Sequence, residues 1–417
     1  MLARRQGGGW TLPRWRSEGR AEWRRTPPVA AALRELLGMD VIVLRCLTGG
    51  RRPDGHAVFA YEVEPVGDLV ADGARWLEPG RLPHVEDAQL RTYLEAWLGE
   101  PEDERLVPWA RRGWHGEAVA WVEDQLAVLG RRPLGPLEQY AISSISAVLR
   151  VATDGGEAYF KAVPPLFGHE PALTRELERR HGNRIVSVLA TDESRGWMLT
   201  ADHEGAELEG EDVEALRAIV VAYARIQIAW VGDSSRLAAL GCPERALDAL
   251  EGELGPTLAD DQLLGRLSPD ERARLPALSE RLRPAFDRLR THEIPATLEH
   301  GDLHGGNLAL RPDGPVFFDW TDGCVSVPFF SLVPLFVEEE PSDAAQLIRD
   351  AYLDPWFGEV PSDALLEAFE LSQELGVLHQ AVGYRRIIDA TEPSQHWQFA
   401  PALPYFVRRL LDSGEPR

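Results

Sequence analysis

The feature that most constrains this chain is the segment TLEHGDLHGGNLALRPDGPVFFDW, which occupies residues 297–320. A short apolar entry leads into a polar, glycine-rich loop, and two β-type runs, NLAL and PVFFDW, flank a turn at RPDG. This pattern predicts a β-hairpin, with Asp302 in the loop before it and Asp319 at the end of its second strand. Together with the amide of Asn307, these acids are oxygen groups of the kind that bind divalent cations and act on phosphates.

The spacing of His300, Asp302 and Asn307 is the HxDxxxxN pattern of a kinase catalytic loop, and Asp319 follows at the place of a second metal-binding acid. HGDLHGGN followed by FFDW resembles the aminoglycoside phosphotransferase family, which includes choline, homoserine, methylthioribose and fructosamine kinases. The resemblance extends over roughly residues 135–417 and implies Mg²⁺-dependent transfer of a phosphoryl group to a hydroxyl of a small molecule. By motif position it implies that Asp302 is the catalytic base, that Asn307 and Asp319 are magnesium ligands, and that His300 structures the loop.

The same resemblance implies a site for ATP or another NTP. Lys161, in YFKAV, matches the family's strand lysine, and it is the single Lys among 44 Lys plus Arg residues. Glu170 is expected to hold this lysine, with Glu176 on the same predicted helix as the alternative. A hinge for the base is expected at Thr200, Ala201, Asp202 and His203, and a phosphate-covering loop without GxGxxG at Ser143, Ser144 and Ser146.

The order of predicted elements indicates an α+β chain with a bilobal, protein-kinase-like fold and an additional small N-terminal α+β unit. Residues 1–30 are predicted to be a disordered arm, and 31–130 an α+β unit of unknown role. Residues 131–205 are predicted to form a mixed small lobe with an antiparallel sheet, including a hairpin that turns at Gly155 and Gly156. Residues 206–417 are predicted to form a helical large lobe that carries the catalytic loop.

Local patterns add further expectations about these elements. Trp109 and Trp114 are predicted to be core aromatics, and SPDE at residues 268–271 is predicted to be a capping box that begins a helix. Pro276 and Pro284 are predicted to divide that helix into pieces. VPFFSL places Ser331 where the resembling family often has an Asp, and the phosphate acceptor is expected near the C-terminal helices, at positions such as Asp322, His379, Tyr384 and Arg385.

Charge and cysteine content argue against several other classes of protein. The net charge of −23 disfavours nucleic-acid and anionic-membrane partners. The three cysteines lie far apart without metal-binding spacing, and no apolar run is long enough for a signal peptide or a membrane span. These features predict a cytoplasmic enzyme that acts on a small molecule; the sequence does not determine its oligomeric state.

Two alternative functions remain open from the sequence. His300, Asp302 and His304 alternate, so on an extended strand they could bind a metal as in a metal-dependent phosphoesterase. The chain could also be a nucleotide-binding pseudokinase whose N-terminal unit binds a partner. Glycines 301, 305 and 306 favour a loop over a strand, and all residues expected for turnover are present.

Overall fold

The computed structural model describes residues 2–6, 9–16, 22–51, 56–67, 74–76, 82–86, 88–99, 103–206, 208, 212–335 and 343–413.

The chain divides into two compact units, and each unit is made of two separate stretches of the sequence. The first unit consists of residues 1–164 and 388–398, and the second of residues 165–387 and 399–417. This division differs from the predicted boundaries at 130 and 205, because the N-terminal α+β segment and the first strands of the predicted small lobe belong to one unit.

The first unit is built mainly from antiparallel strands. β3 and β4 form a long pair, as predicted, and β6, β7 and β8 form an antiparallel meander. Part of the turn predicted between β3 and β4 lies outside the described residues. The elements are β1 (Leu2–Gln6), β2 (Gly9–Thr11), α1 (Pro27–Leu37), β3 (Asp40–Arg51), β4 (Ala57–Val66), β5 (Ala74–Trp76), α2 (Ala88–Gly99), α3 (Trp114–Val128), β6 (Glu138–Ile142), β7 (Ala147–Thr153) and β8 (Gly156–Ala162).

The prediction of a disordered arm over residues 1–30 does not fit the described part of that segment. β1 pairs with β2 and also with β5, which lies some seventy residues later in the chain. α1 begins at Pro27, and the apolar face containing Val29 and Leu33 packs against β3. The Arg- and Gly-rich composition gave no sign of strands, because the pairing with β5 is non-local and composition reports only local tendencies.

The meander places the single lysine on β8 and covers an aromatic core. Thr153 and Gly156 close the β7–β8 turn, and Gly156 has a φ of 99°, which suits glycine. Lys161 lies opposite Val148 in this register. Beneath the strands, Trp114 contacts both Trp109 and the fully buried Phe160, so the predicted role of these tryptophans in the core is confirmed.

Residues 388–398 join the first unit through a buried ion pair. Arg45 on β3 donates to Glu62 on β4 at 2.7 Å and to Glu392 at 2.5 Å, and the Glu392 side chain is only 8% exposed. A short 3-10 helix follows at Pro393–Gln398, and Trp397 packs edge-on against Trp23. A segment close to the C-terminus therefore completes the N-terminal unit.

The second unit is mostly helical and includes three small antiparallel pairs, β9–β10, β11–β14 and β12–β13. No helix within the described residues is long and apolar enough to span a membrane. The elements are α4 (Glu170–His181), β9 (Val188–Asp192), β10 (Trp197–Ala201), α5 (Val213–Ile228), α6 (Ser234–Ala239), α7 (Leu247–Leu258), α8 (Asp261–Leu264), α9 (Pro269–Thr291), β11 (Thr297–Glu299), β12 (Leu308–Arg311), β13 (Gly314–Phe317), β14 (Cys324–Ser326), α10 (Leu332–Leu335), α11 (Asp343–Leu353), α12 (Ser362–Ala390) and α13 (Ala402–Asp412).

The predicted division of α9 at its prolines is wrong, although its predicted start is confirmed. Ser268 and Glu271 form the reciprocal capping box at its first turn. Each internal proline, Pro276 and Pro284, removes one backbone donor. The helix nevertheless continues for 23 residues, because its buried face supplies packing that offsets those losses. The buried residues of that face are Leu275, Leu278, Leu282, Ala285, Phe286 and Leu289.

We expect Glu392→Ala to destabilise the first unit by about 2–4 kcal/mol, because Arg45 would stay buried with one carboxylate in place of two. The midpoint of urea unfolding measures this effect. Glu86→Ala is the control, because Glu86 pairs with Arg14 on the surface, where both side chains are more than half exposed and solvent screens the interaction. Equal midpoints for the two variants would contradict the proposed anchoring of residues 388–398.

Candidate functional site

The predicted catalytic loop, residues 300–307, connects β11 to β12 in the second unit. Leu308 on β12 pairs with Phe317 on β13, and the N–H of Phe318 donates to the Asn307 carbonyl oxygen at 3.1 Å. The end of the loop and the residues after β13 therefore lie side by side. Antiparallel pairing of two short strands is thus what brings Asn307 next to the segment containing Asp319.

Asn307 holds the loop in shape through its side-chain amide. Its Nδ2 group donates to the Asp302 carbonyl oxygen at 2.8 Å and to Asp302 Oδ2 at 3.3 Å. With the amide nitrogen facing Asp302, the amide oxygen of Asn307 is left to act as an acceptor or a ligand. The predicted base and one predicted magnesium ligand are therefore in direct contact.

His300 braces the loop from inside. Its ring is fully buried, Nε2 lies 3.1 Å from the Phe318 carbonyl oxygen, and Nδ1 lies 3.4 Å from the Asp302 backbone nitrogen. Burial lowers the pKa of His300, so the neutral ring donates from Nε2 and accepts at Nδ1. The side chain thereby joins the start of the loop to Phe318, the residue before Asp319.

Asp319 has a strained backbone, with a φ of 62° in the left-handed region. Non-glycine residues with positive φ are uncommon, and such strain often occurs at functional sites. The Thr321 hydroxyl donates to Asp319 Oδ1 at 2.8 Å and so helps to orient the carboxylate. The His203 and Phe318 rings stack beside it in parallel, with centroids 5.1 Å apart.

The donor set of this region fits a magnesium ion. Asn307 contributes an amide oxygen and Asp319 a carboxylate, and Mg²⁺ prefers a small number of such oxygen ligands combined with water and substrate phosphates. The alternating His300, Asp302 and His304 do not form a hydrolase-type centre, because backbone groups engage both ring nitrogens of His300. Across the described ranges, no three His, Cys, Asp or Glu side chains are grouped to hold a metal.

The two candidate acids on α4 have different surroundings. Glu176 pairs with Arg179 at 2.8 Å and with Arg236 at 3.4 Å, and these contacts lower its pKa to about 2. Glu170 is buried at the start of α4, with 1% of its surface exposed. Glu176 is therefore already paired with two arginines, and the expectation that Glu170 holds the lysine stays a prediction.

The predicted hinge lies at the end of β10. Thr200 and Ala201 are the last residues of the strand, and the Ala201 N–H donates to the Ser187 carbonyl oxygen at 2.9 Å. Beyond the strand, Asp202 accepts from the Glu204 N–H at 2.8 Å, and His203 accepts from the Gly205 N–H at 3.2 Å. These side chains therefore shape the turn that follows the hinge.

In the first unit, the predicted phosphate-covering loop forms a tight turn between β6 and β7. Ser143 Oγ accepts from the N–H groups of Ile145 and Ser146, and the Ser143 N–H donates to the Ser146 carbonyl oxygen. The Ser144 N–H and hydroxyl both donate to Oε1 of Gln398, at 3.1 and 2.8 Å. All four backbone N–H groups of the turn therefore have acceptors within the protein, whereas a phosphate cradle requires such groups to face the ligand.

Of the four residues expected near the acceptor, Asp322 lies against the catalytic loop, and the other three contact different parts of the second unit. Asp322 lies against the loop, since a Cβ placed on Gly301 would be 2.8 Å from the Asp322 Cβ. Burial raises the pKa of Asp322 to about 6, although Arg245 lies 3.6 Å away. His379 is buried 3.8 Å from the sulfur of Cys324, while Arg385 pairs with Glu253 and Tyr384 stacks on Phe406.

Two buried residues that contact or support the loop, Glu299 and Ser331, were not predicted from the sequence to have a part in the site. The Ser331 hydroxyl lies 3.0 Å from the His300 backbone nitrogen and 3.1 Å from that of Gly301. It also donates to the Glu299 carboxylate. The sequence does single out Ser331, because it occupies a position where the resembling family often has an Asp. No local sequence pattern, however, links Ser331 to Glu299.

Comparison with solved structures identifies the fold. A choline/ethanolamine kinase family protein from Mesorhizobium loti superposes with a TM-score of 0.52 at 16% identity, covering 72% of this chain and 95% of that chain. Antiparallel strands in one part of the chain and helices in the other agree with that likeness. The predicted α+β, protein-kinase-like fold class is therefore confirmed.

Residues 139–366, more than half of the chain, match the Phosphotransferase enzyme family, APH, and the chain belongs to this family. Curated relatives match over a much shorter length. Probable ketoamine kinase YniA of Escherichia coli K12 is 41% identical over 58 residues, which are 13% of this chain and 19% of that protein. A probable ketoamine kinase of Klebsiella pneumoniae is 40% identical over 58 residues, 13% and 45% of the respective chains. The matches span less than half the length of either relative.

We expect Gln398→Ala to tighten Mg-ATP binding by roughly 3- to 10-fold, because it releases the N–H and hydroxyl of Ser144 for contact with phosphate. Isothermal titration calorimetry measures the dissociation constant. Gln139→Ala is a suitable control, because Gln139 also bonds backbone groups in the first unit, those of Val43, and does not touch the loop. Unchanged or weaker binding in Gln398→Ala would show that this loop does not contact the nucleotide.

Proposed function

We propose that the protein is an ATP- and Mg²⁺-dependent small-molecule kinase that transfers the γ-phosphoryl group to a hydroxyl. One observation carries the proposal: the Asn307 amide bonds to Asp302 while its backbone pairs with the residue preceding Asp319. A carboxylate for the acceptor hydroxyl and two oxygen ligands for a cation thus come from one short segment. Membership of the phosphotransferase family supports the same reaction class.

In this proposal, Asp302 orients the acceptor hydroxyl and accepts its proton as the new phosphate bond forms. The Asp302 side chain is 34% exposed, which leaves its carboxylate accessible. The bound Mg²⁺ would neutralise charge on the phosphates, and Asn307 and Asp319 would hold it. Positioning and electrostatics are expected to provide most of the catalysis, since phosphoryl transfer requires little covalent chemistry from the protein.

The remaining nucleotide contacts are proposed from motif position. Lys161 would contact the α- and β-phosphates and Glu170 would orient Lys161. The backbone of residues 200–203 would bond the base, with ATP or another NTP as the donor. The serines of the 143–146 loop would reach phosphate only after their present hydrogen bonds rearrange. A cytoplasmic location, where ATP is available, is part of the proposal.

For the acceptor, we propose a small molecule that carries both a hydroxyl and a cationic nitrogen. The curated relatives are probable ketoamine kinases, and the fold relative belongs to the choline/ethanolamine kinase family. A net charge of −23 favours the approach of a cationic acceptor. Ketoamines, choline and ethanolamine are therefore the first acceptors to screen.

Nucleotide binding is tested by thermal unfolding with and without Mg-ATP. The wild-type protein is expected to gain about 2.7 kcal/mol of stability at 100-fold excess over the dissociation constant. Asp319→Ala is expected to lose this magnesium-dependent gain because it removes a cation ligand. Absence of any gain in the wild type at saturating nucleotide would overturn the proposed nucleotide site.

Catalysis is tested separately with Asp302→Asn in a phosphotransfer assay on the screened acceptors. We expect kcat to fall by about 10²- to 10⁴-fold, because an amide cannot accept the hydroxyl proton, while Mg-ATP still stabilises the protein. Asp124→Asn, an exposed change on α3, is the control and is expected to retain wild-type turnover. A wild type that binds Mg-ATP but shows no turnover with any acceptor would favour the pseudokinase alternative.

A further inference from the structure

We propose that Ser331 and Glu299 form a positioning pair that fixes the backbone at the start of the catalytic loop and thereby places Asp302. The inference rests on the proposed kinase function for its catalytic consequence. Its structural basis is a set of hydrogen bonds that lies wholly inside the second unit. Neither residue is expected to touch the substrate, so both are positioning residues.

The hydroxyl of Ser331 is the centre of this arrangement. Its oxygen lies 3.0 Å from the His300 backbone nitrogen, 3.1 Å from the Gly301 backbone nitrogen and 2.7 Å from the Tyr223 hydroxyl. Its own proton goes to the carboxylate of Glu299, which also accepts the Ser331 backbone N–H at 2.7 Å. Ser331, Glu299, His300 and Tyr223 are all fully buried.

The two members of the pair have complementary roles. A serine hydroxyl has one proton and two lone pairs, so it donates its proton to Glu299 while its oxygen accepts from the N–H groups of the loop and from the Tyr223 hydroxyl. Both oxygens of Glu299 act as acceptors, one for the Ser331 N–H and hydroxyl and the other for the Gln227 amide, and the hydrogen bond that Ser331 donates to Glu299 polarises the hydroxyl and strengthens the bonds that the hydroxyl accepts. Glu299 thus makes Ser331 a better and more directional acceptor for two consecutive backbone N–H groups.

Those two N–H groups belong to the peptides that lead directly into Asp302. Gly301 has a φ of 78°, and a Cβ there would lie 2.5 Å from the Asp322 carbonyl oxygen, so the chain can turn here only at glycine. Its carbonyl oxygen accepts from the Gln380 side chain at 2.6 Å. The pair on one side and Gln380 on the other therefore determine the direction in which the loop presents the Asp302 side chain.

Glu299 is itself held from the opposite side. The Gln227 amide donates to Glu299 and, at 3.2 Å, to the Leu298 carbonyl oxygen. Its own amide oxygen accepts from the Tyr352 hydroxyl at 2.6 Å. Burial raises the pKa of Glu299 to about 8 despite these donors. Burying an acid costs desolvation free energy, and an apolar residue would fill this position without that cost. Packing alone therefore does not account for Glu299.

The test compares Ser331→Ala and Glu299→Gln with Ser372→Ala. Ser372 is a suitable control because it is equally buried and its hydroxyl donates to the Ala368 carbonyl oxygen within α12, away from the loop. For the two pair variants we expect kcat to fall by roughly 10- to 100-fold, the cost of misplacing a catalytic group, with KM for ATP nearly unchanged. The Ser372→Ala protein is expected to keep wild-type kcat. A role confined to stability would lower the unfolding midpoint and leave kcat of the folded enzyme intact.

Amide hydrogen exchange gives a second readout that does not depend on activity. Both pair variants are expected to speed exchange of the Gly301 amide by at least about 10-fold relative to wild type and Ser372→Ala, because its acceptor is lost or weakened, whereas the His300 amide also donates to the Tyr223 hydroxyl at 2.9 Å and is expected to respond less. Equal exchange rates and equal kcat in all four proteins would overturn the inference. If Ser331→Ala does not fold, the near-isosteric Glu299→Gln still provides both measurements.

A carboxylate swap separates the pair from a general need for polar groups. Ser331→Asp alone would bury a second carboxylate beside Glu299, so we expect it to be worse than Ser331→Ala. Combined with Glu299→Gln, it supplies one carboxylate directly to the two N–H groups, and we expect kcat to recover by at least about 10-fold over Ser331→Asp. Failure to recover in a folded double variant would argue against a paired role.

If the wild-type protein shows no phosphotransfer at all, the proposed function fails. The exchange experiment alone then tests whether Ser331 and Glu299 fix the backbone of the loop. Faster exchange in the variants would keep the loop anchor as a structural finding. Unchanged exchange would overturn it independently. The two failures are therefore distinguishable.

Discussion

The loop that carries the candidate catalytic acid depends on hydrogen bonds to its own backbone from groups buried behind it. The Ser331 hydroxyl accepts the N–H groups of His300 and Gly301, and the Gln380 amide donates to the Gly301 carbonyl oxygen. The His300 ring then ties the loop to the Phe318 carbonyl oxygen. Because buried side chains hold the backbone of the loop in place, a solvent-facing side chain such as that of Asp302 can take part in a reaction without also having to stabilise the loop.

The predicted cation ligands and the predicted phosphate-covering loop differ in how many of their polar groups are already engaged within the protein. In the second unit, Asn307 and Asp302 are already in contact, and Thr321 orients the Asp319 carboxylate. In the first unit, the backbone N–H groups of the serine turn donate to acceptors within the turn and to Gln398. Hydrogen bonds therefore already orient the proposed cation ligands, whereas the serine turn would have to exchange its partners before it could bind phosphate.

The sequence predicted what is encoded locally. The HxDxxxxN spacing and the hairpin after it lie within one contiguous segment, and the Thr153–Gly156 turn and the Ser268 capping box have signals only a few residues long. Elements of this kind were found where expected. The fold class also followed from that segment, because the family resemblance brought a known architecture with it.

What the sequence did not reveal depends on contacts between distant residues. Ser331 and Glu299 are 32 positions apart, and nothing in either segment indicates the other. The pairing of β1 with β5 is equally non-local. The continuity of α9 through Pro276 and Pro284 was missed for a related reason, since the packing of its buried face outweighs the local penalty of proline.

The return of residues 388–398 to the first unit has a consequence for how the chain acquires its structure during synthesis. Glu392 contacts Arg45, which lies 347 positions earlier, and Gln398 contacts Ser144, which lies 254 positions earlier, so these contacts form only after the intervening chain has been synthesised. Domains generally fold as units and in order of emergence. Here the first unit is completed only after residues 165–387 of the second unit have been synthesised, and until then Arg45 has Glu62 as its one carboxylate partner and the Ser144 donors lack Gln398.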